Sequence, residues 1–356
     1  MGENRSLPEG KSRLDWVDMA RGLAILCIVY GHASRDVGLL SRLLYSFHVP
    51  MCVFLSGYVY RQKQQTLGEH LKKTGRRLLI PYFFFSLVSI LIYMVLGKMA
   101  ADSLQAEHYS LGENLLFMVM GRSIANAALW YLPFLFLTQG IMFLWCRFLK
   151  GRQIQTAGKK AAVTVLPLVI SAGLLCFYTR YQYTWKLDLP FGINNACFLF
   201  FFFWLGFVIK SAFSLPGEKK WLAAALPLLA VSILLGFYLN DEVEYMRLVD
   251  SDYGRNIPVF YLSAAGSTLA LCWICRIAGS SRLLQWFGRH AMSILVMHKF
   301  PVLVFQVLLG EVGERFGSAR SLWFLLISLL SASMCCGVGE LLIRTVPMVI
   351  GEKKRI

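Results

Sequence analysis

Apolar residues fill the chain in long stretches, separated by short polar segments that are mostly basic. A helix needs roughly 20 apolar residues to cross a hydrocarbon core of about 30 Å. Ten stretches meet that need, near 16–34, 43–60, 78–97, 129–146, 161–178, 193–209, 221–239, 258–275, 290–309 and 321–345. The pattern predicts an all-α polytopic membrane protein, with about ten transmembrane helices in one bundle. A further apolar stretch at 115–120 is too short to span and is expected to re-enter or to lie along the interface. The first stretch follows a polar leader, contains Asp18 and Arg21, and ends in Gly31-His32. It is therefore expected to stay as a span, not to be cleaved as a signal peptide. Residues 1–15 and 346–356 flank the 16–345 transmembrane domain as tails, the second of them basic. The longest loops are 98–128 and 240–257, and neither a fixed-period repeat nor a low-complexity tract interrupts the pattern.

Composition removes the soluble alternatives. Of the 356 residues, 57% are hydrophobic and only 16% charged, against about 25% charged in a soluble chain. The mean hydropathy is +0.56. The net charge of +16 does not point to nucleic acid, because the basic residues sit in short runs between apolar stretches, not on one accessible face. Their distribution instead sets an orientation. The two tails and the loops on their side hold 23 Lys and Arg, and the five opposite loops hold 10. Basic residues stay cytoplasmic, so both termini are expected there, in the cytoplasmic membrane of a cell. Twelve of the 20 Asp and Glu fall in the outer loops, among them Asp241, Glu242, Glu244, Asp250 and Asp252. All nine Cys lie in apolar stretches and read as small buried hydrophobes.

Ionisable residues inside a membrane are costly and therefore mark function. They are Asp18, Arg21, His32, His48, His298, Lys299, Glu340 and Arg344. Arg21 and His32 are 11 residues apart. On a helix that is about 1,100°, or three turns plus about 20°, so both share one face, with a rise of about 16 Å between them. Asp18, three residues before Arg21, is placed to pair with it. The short loop 35–42 makes the first two helices antiparallel neighbours, bringing His48 toward the depth of His32. Two such imidazoles could serve base catalysis or bind metal, but zinc needs a further good ligand and none is evident, so no metal site is assigned. His298 lies about 12 Å into the ninth stretch, where it reads as a core histidine bonded to a neighbouring helix. Glu340 and Arg344, four apart, read as a structural ion pair. Lys72, Lys73, Arg76 and Arg77 follow the second stretch either as ordinary basic anchoring or as a phosphate clamp.

These residues resemble the acyltransferase-3 family of membrane-bound O-acyltransferases, close to its fucose-4-O-acetylase-like branch. Arg21 and, after ten intervening residues, His32 match the family's Arg/Lys-x10-His signature. Phe47-His48-x-Pro50 leading to Phe54-Leu55-Ser56-Gly57-Tyr58 is similar to its second-helix pattern. Arg76-Arg77-Leu-Leu-Ile-Pro81-Tyr82 is similar to its basic cytoplasmic motif. Leu129-Trp130-Tyr131-Leu132 resembles its Leu-Trp-Phe-Leu box, and the stretch ending at His298 its late histidine element. The chain departs from the pattern at Lys73, where relatives often carry Arg, and at Cys52 and Val53, where aromatics are common.

The resemblance implies transfer of an acyl group, most simply acetyl from acetyl-CoA, to a hydroxyl at or beyond the outer leaflet. Under it, His32 is expected to act as general base, with Asp18 orienting Arg21 and His48 orienting His32 or polarising the thioester. Arg21, Lys73, Arg76 and Arg77 are expected to hold the donor, with Ser56, Trp130 and His298 in support. The expected acceptor is a cell-envelope glycan or a lipid-linked sugar; the other partners are membrane lipids, and no nucleic acid is implied. Tyr178, Tyr181, Tyr183 and Trp185, read as outer-loop aromatics, could stack on sugar rings or anchor at the interface. A transporter or flippase for a small polar or lipid-linked substrate fits ten helices with midplane polar residues equally well. A catalytically silent module for amino-acid uptake or sensing is the third reading.

Overall fold

The computed structural model describes residues 14–34, 39–104, 109–150, 157–185, 189–210, 222–240, 248, 251–315 and 320–352. Among them there are helices and turns and no strand. The first half comprises α1 (Asp15–Ala33), α2 (Leu39–Tyr45), α3 (His48–Val59), α4 (Leu67–Leu104), α5 (Leu111–Val119), α6 (Tyr131–Leu149) and α7 (Ala157–Trp185). The second comprises α8 (Ile193–Phe198), α9 (Phe200–Val208), α10 (Leu222–Asn240), α11 (Ile257–Ile277), α12 (Arg282–Arg289), α13 (Ala291–Met297), α14 (Lys299–Arg315) and α15 (Arg320–Thr345).

Each of the ten apolar stretches falls on helix, but they differ as spans. Among the described residues, six helices are long and apolar enough to cross a membrane: Leu67–Val95, Leu111–Leu149, Ala161–Tyr181, Leu222–Asn240, Ile257–Ile277 and Arg320–Thr345. Two broken pairs raise the number to eight: Pro190–Phe198 with Phe200–Val208, bent by 53°, and Ala291–Met297 with Lys299–Leu308, bent by 51°. The first two stretches do not qualify. Leu43–Val59 is too short, and α1 carries Asp18, Arg21 and His32. The physical reason α1 tolerates them is its position. It is the hub of the bundle, packed on α3 and on α11 to α15, so most of it meets protein. The apolar stretch at 115–120 belongs to α5, a short helix opened by a capping box between Ser110 and Glu113.

Matched glycines set the hub's closest packing. A methyl group at Gly22 of α1 would run into the Leu284 carbonyl of α12, and one at Gly288 of α12 would run into the Asp18 carbonyl of α1. Gly57 and Gly206 do the same for α3 and α9, against the Phe203 and Phe54 carbonyls. Small residues let backbones approach this closely where no hydrophobic force drives helices together.

Both breaks have local causes. Pro301 lacks the N–H that would bond the Met297 carbonyl, and its ring crowds that carbonyl; the helix bends there, leaving His298 between α13 and α14. At the other break, the Phe198 carbonyl accepts from the Tyr261 hydroxyl (2.6 Å) and the Cys197 carbonyl from Ser171 (2.8 Å). Side chains inserted in this way replace ladder bonds and hold a kink.

On the predicted outer side, Asn195 anchors the end of the 240–257 loop. Its amide donates to the Leu248 carbonyl (2.7 Å), and its Oδ1 accepts from Ser251 (3.1 Å) and Tyr253 (2.5 Å). Asp241, Glu242, Glu244 and Asp250 lie outside the described residues. Tyr178, Tyr181, Tyr183 and Trp185 belong to helix α7, not to a loop. Tyr178 packs across on Phe198, whereas Tyr181 meets Phe177 one turn earlier on its own helix and stays exposed; the side chains of Tyr183 and Trp185 lie outside the described residues.

Candidate active site

His32, near the C-terminal end of α1, is approached by histidines from two other parts of the chain. His32 stacks on His298, with ring centroids 5.1 Å apart and planes 28° apart. His48 and Lys299 both lie within electrostatic reach of His32. The Gln306 amide donates to the carbonyls of His32 and Ala33 (3.2 and 3.1 Å), satisfying the open end of α1 and tying it to α14. A methyl group at Gly31 would collide with the Tyr45 ring. That ring in turn packs edge-on against His48 at 4.7 Å.

The local backbone fixes two of the three tautomers. His48 Nδ1 sits 2.8 Å from the Leu44 carbonyl. His298 Nδ1 sits 2.8 and 3.1 Å from the Ile294 and Leu295 carbonyls. A carbonyl only accepts, so both Nδ1 atoms carry the proton, and each Nε2 presents a lone pair. His298 Nε2 is buried with no hydrogen-bond partner among the described residues, and the residue is 0% exposed. The sequence suggests a bond from His298 to a neighbouring helix. Its bonds are instead to its own helix, because the turn before the break brings those carbonyls to Nδ1, and what it touches across the bundle is His32.

Arg21 extends the same wall toward the other side. It is half-buried, and its Nη1 lies 3.9 Å from the buried carboxylate of Asp18. Its charge bears on Cys52 of α3 and on Tyr131 at the start of α6. Cys52 is one turn below His48 on α3, about 6 Å along the axis. Arg21 and His32 thus both lie within electrostatic reach of residues on α3. Ser56, one turn further, donates to the Cys52 carbonyl (2.9 Å). Trp130 is half-buried, with its ring against Tyr131 and Phe134 (6.2 and 5.3 Å).

The basic turn stands elsewhere. Lys73, Arg76 and Arg77 lie exposed on α4, which packs on α6, α13, α14 and the Pro347–Ile350 turn, whereas the strongest contacts of α1 are with α12 and α15. A methyl group at Gly351 would run into the Arg77 carbonyl, so the turn after α15 is seated directly on this basic segment. Glu340 departs from the expected pairing: its carboxylate accepts from His290 Nε2 (2.9 Å), across the bundle, not from Arg344 along the helix. A methyl group at Gly339 would run into the Ser293 side chain, so the glycine lets α15 lie close to the Ser293 and His290 segment.

Two site residues escaped the sequence reading. Asn126 is 1% exposed and sits in non-helical backbone inside the Ile124–Trp130 turn. Its amide donates to the Val296 carbonyl (3.2 Å), just before the His298 break, and its Oδ1 meets no hydrogen-bond partner among the described residues. Gln306 is the other. An Asn beside a Trp box and a Gln in an apolar helix carry a weak signal, because polarity alone does not reveal the partner. Among the described residues no three His, Cys, Asp or Glu side chains converge as metal ligands.

The acyltransferase-3 family model, described as an acyltransferase domain, matches residues 14–339. No curated protein and no solved structure gives a significant match. The match runs from the start of α1 to within α15, taking in the histidine cluster, the Arg21 wall and the basic turn. The chain belongs to the acyltransferase-3 family and is a multi-pass membrane O-acyltransferase.

Proposed function

We propose that the protein moves an acyl group, most simply acetyl, from cytoplasmic acyl-CoA to a hydroxyl of a cell-envelope carbohydrate or lipid-linked sugar at the outer face of the cytoplasmic membrane. The observation that carries this reading is the stacked His32–His298 pair on the same wall as Arg21. The excess of Lys and Arg on the side of the two termini supports their cytoplasmic placement.

The chemistry assigns each group a task. His32 takes the proton of the acceptor hydroxyl as its oxygen attacks the thioester carbonyl. The carbon–sulfur bond then breaks, and the CoA thiolate leaves and takes up a proton. His48 and His298, with lone pairs directed by their backbone-bound Nδ1–H groups, hold the imidazole and the acceptor in register. Arg21, steadied by Asp18, binds the donor inside the bundle. Lys73, Arg76 and Arg77 attract its phosphates at the cytoplasmic surface.

The test is transfer of labelled acetyl from acetyl-CoA by purified protein, using membrane glycolipid and surface polysaccharide as acceptors. Transfer that disappears in His32→Ala and Arg21→Ala variants of normal abundance supports the reading; transfer unchanged in both ends it. Uptake of substrate into vesicles without acyl transfer would instead favour transport, for which the two broken helix pairs are the structural ground.

A further inference from the structure

Arg77 and Gly351 meet at a carbonyl that the helix ladder cannot use. In α4 the Arg77 carbonyl would accept from the N–H four residues on, but that residue is Pro81. Proline has no N–H, and its ring crowds the carbonyl of the fourth residue before it. The Arg77 oxygen is thus left for another partner, and Gly351 is laid on it. A Cβ at Gly351 would run into that oxygen and would stand 3.3 Å from the Arg77 Cγ. The hydrogen in its place therefore points at the oxygen, as in the Cα–H···O contacts of close helix pairs. Gly351 has a φ of +71°, which glycine adopts without strain. Its N–H donates to the Met348 carbonyl (3.1 Å), and the Glu352 N–H donates to the Pro347 carbonyl (2.9 Å), closing the turn. Pro347 and Ile350 are buried, and Ile350 shares an apolar cluster with Leu78 and Tyr82 of α4.

The turn thus rests on α4 through packed apolar side chains and through this one backbone contact. It lies past the residues matched by the family model, which end at 339. What it touches carries charge: Lys73, Arg76 and Arg77 are exposed, next to the buried Leu78. Gly351 meets Arg77 at the carbonyl and at the base of the side chain, so it limits the directions in which the guanidinium can leave the helix. A long cation held in this way before its ligand arrives has less freedom to lose on binding. We infer that Gly351 is a positioning residue that preorganises Arg77 for the phosphates at the nucleotide end of acyl-CoA. The inference rests on the acyl-CoA reading. It adds to it a residue that acts through Arg77 and touches no reacting atom.

Gly351→Ala puts a methyl group against the carbonyl and stem of Arg77. Pro81→Ala reaches the same contact without adding bulk, because it restores the N–H that draws the Arg77 carbonyl into the ladder. With acetyl-CoA as the varied substrate, KM is expected to rise about three- to tenfold in each variant, as for one side chain that must be ordered on binding. The kcat is expected to stay within about twofold. S-acetylpantetheine carries no phosphate, and its kcat/KM is expected to be the same in all three proteins. In an Arg77→Gln background both changes are expected to be silent, because the residue they act through is gone. An unchanged KM for acetyl-CoA in either folded variant, equal losses with the two donors, or effects that add to that of Arg77→Gln overturn the inference. If Gly351→Ala does not fold, Pro81→Ala decides by the same readouts. The assays use neutral detergent; a KM difference that appears only on adding phosphatidylglycerol assigns the contact to lipid headgroups and overturns the inference. If the wild type transfers no acyl group, the enzymatic reading fails by itself, and calorimetric titration with CoA decides Gly351. Weaker CoA binding in the variants then supports the inference, and equal affinity, or none in the wild type, overturns it.

Discussion

The imidazoles of His32 and His298, 266 positions apart in the chain, lie face to face with centroids 5.1 Å apart. One ring comes from an unbroken helix and the other from the bend before Pro301. The first is the base of the proposed reaction, and the second presents a lone pair on its side of the stack. Replacing His32 by Ala is expected to lower acyl transfer by about 10²–10⁴-fold, the range for losing a general base. His298→Phe, which keeps a stacked ring and removes the Nε2 lone pair, is expected to cost activity while leaving abundance intact. Initial rates with acetyl-CoA check both.

Pro301 aims His298. Pro301→Ala restores the N–H that can bond the Met297 carbonyl and removes the ring that crowds it. The bend of 51° between α13 and α14 is expected to relax, drawing His298 off His32. Transfer should fall at least tenfold with no loss of melting temperature. Activity equal to wild type would show that the bend does not position the site.

The glycines of the hub predict opposite signs at two kinds of site. Gly22→Ala and Gly288→Ala force a methyl group into a carbonyl of the facing helix. Overpacking of this kind costs about 1–3 kcal/mol, and both variants should melt lower. A methyl group at Gly337, inside α15, would meet nothing within 4 Å. Gly337→Ala should therefore stabilise by about 0.5–1 kcal/mol, the helix-interior preference of Ala over Gly. Thermal melting in one detergent compares all three.

Asn195 holds three groups, on Leu248, Ser251 and Tyr253, on the predicted outer side. Asn195→Ala leaves the Leu248 carbonyl, Ser251 and Tyr253 to find other partners. A buried group left unsatisfied costs about 1–3 kcal/mol, so the segment should open. Protease added to the outer side of oriented vesicles is expected to cut this loop faster in the variant.

Much of this was legible in the chain. Lengths of apolar sequence located the long helices, since a span must be apolar over its whole length. The shared face of Arg21 and His32 follows from helical periodicity alone, and both lie within electrostatic reach of α3. A short connection led to the expectation that His48 comes near His32; part of that connection is helix α2, and His48 lies within electrostatic reach of His32. Legibility ended where partners lie far apart in sequence. Glu340 looked paired with Arg344, a neighbour on its own helix, but bonds His290, 50 residues away. His298 looked like a packing histidine and instead faces His32. Asn126 and Gln306 gave no periodic or spacing signal at all.

What the sequence by itself determined is therefore the helices, their apolar extent and the charged stripe on α1, because these depend on contacts within a few residues and on transfer from water to lipid. Only the tertiary structure decided which polar groups meet. In a medium of low dielectric a buried donor or acceptor takes the partner that packing brings to it. That packing is set by glycines, such as Gly22 and Gly288, whose role appears only when another backbone is laid against them.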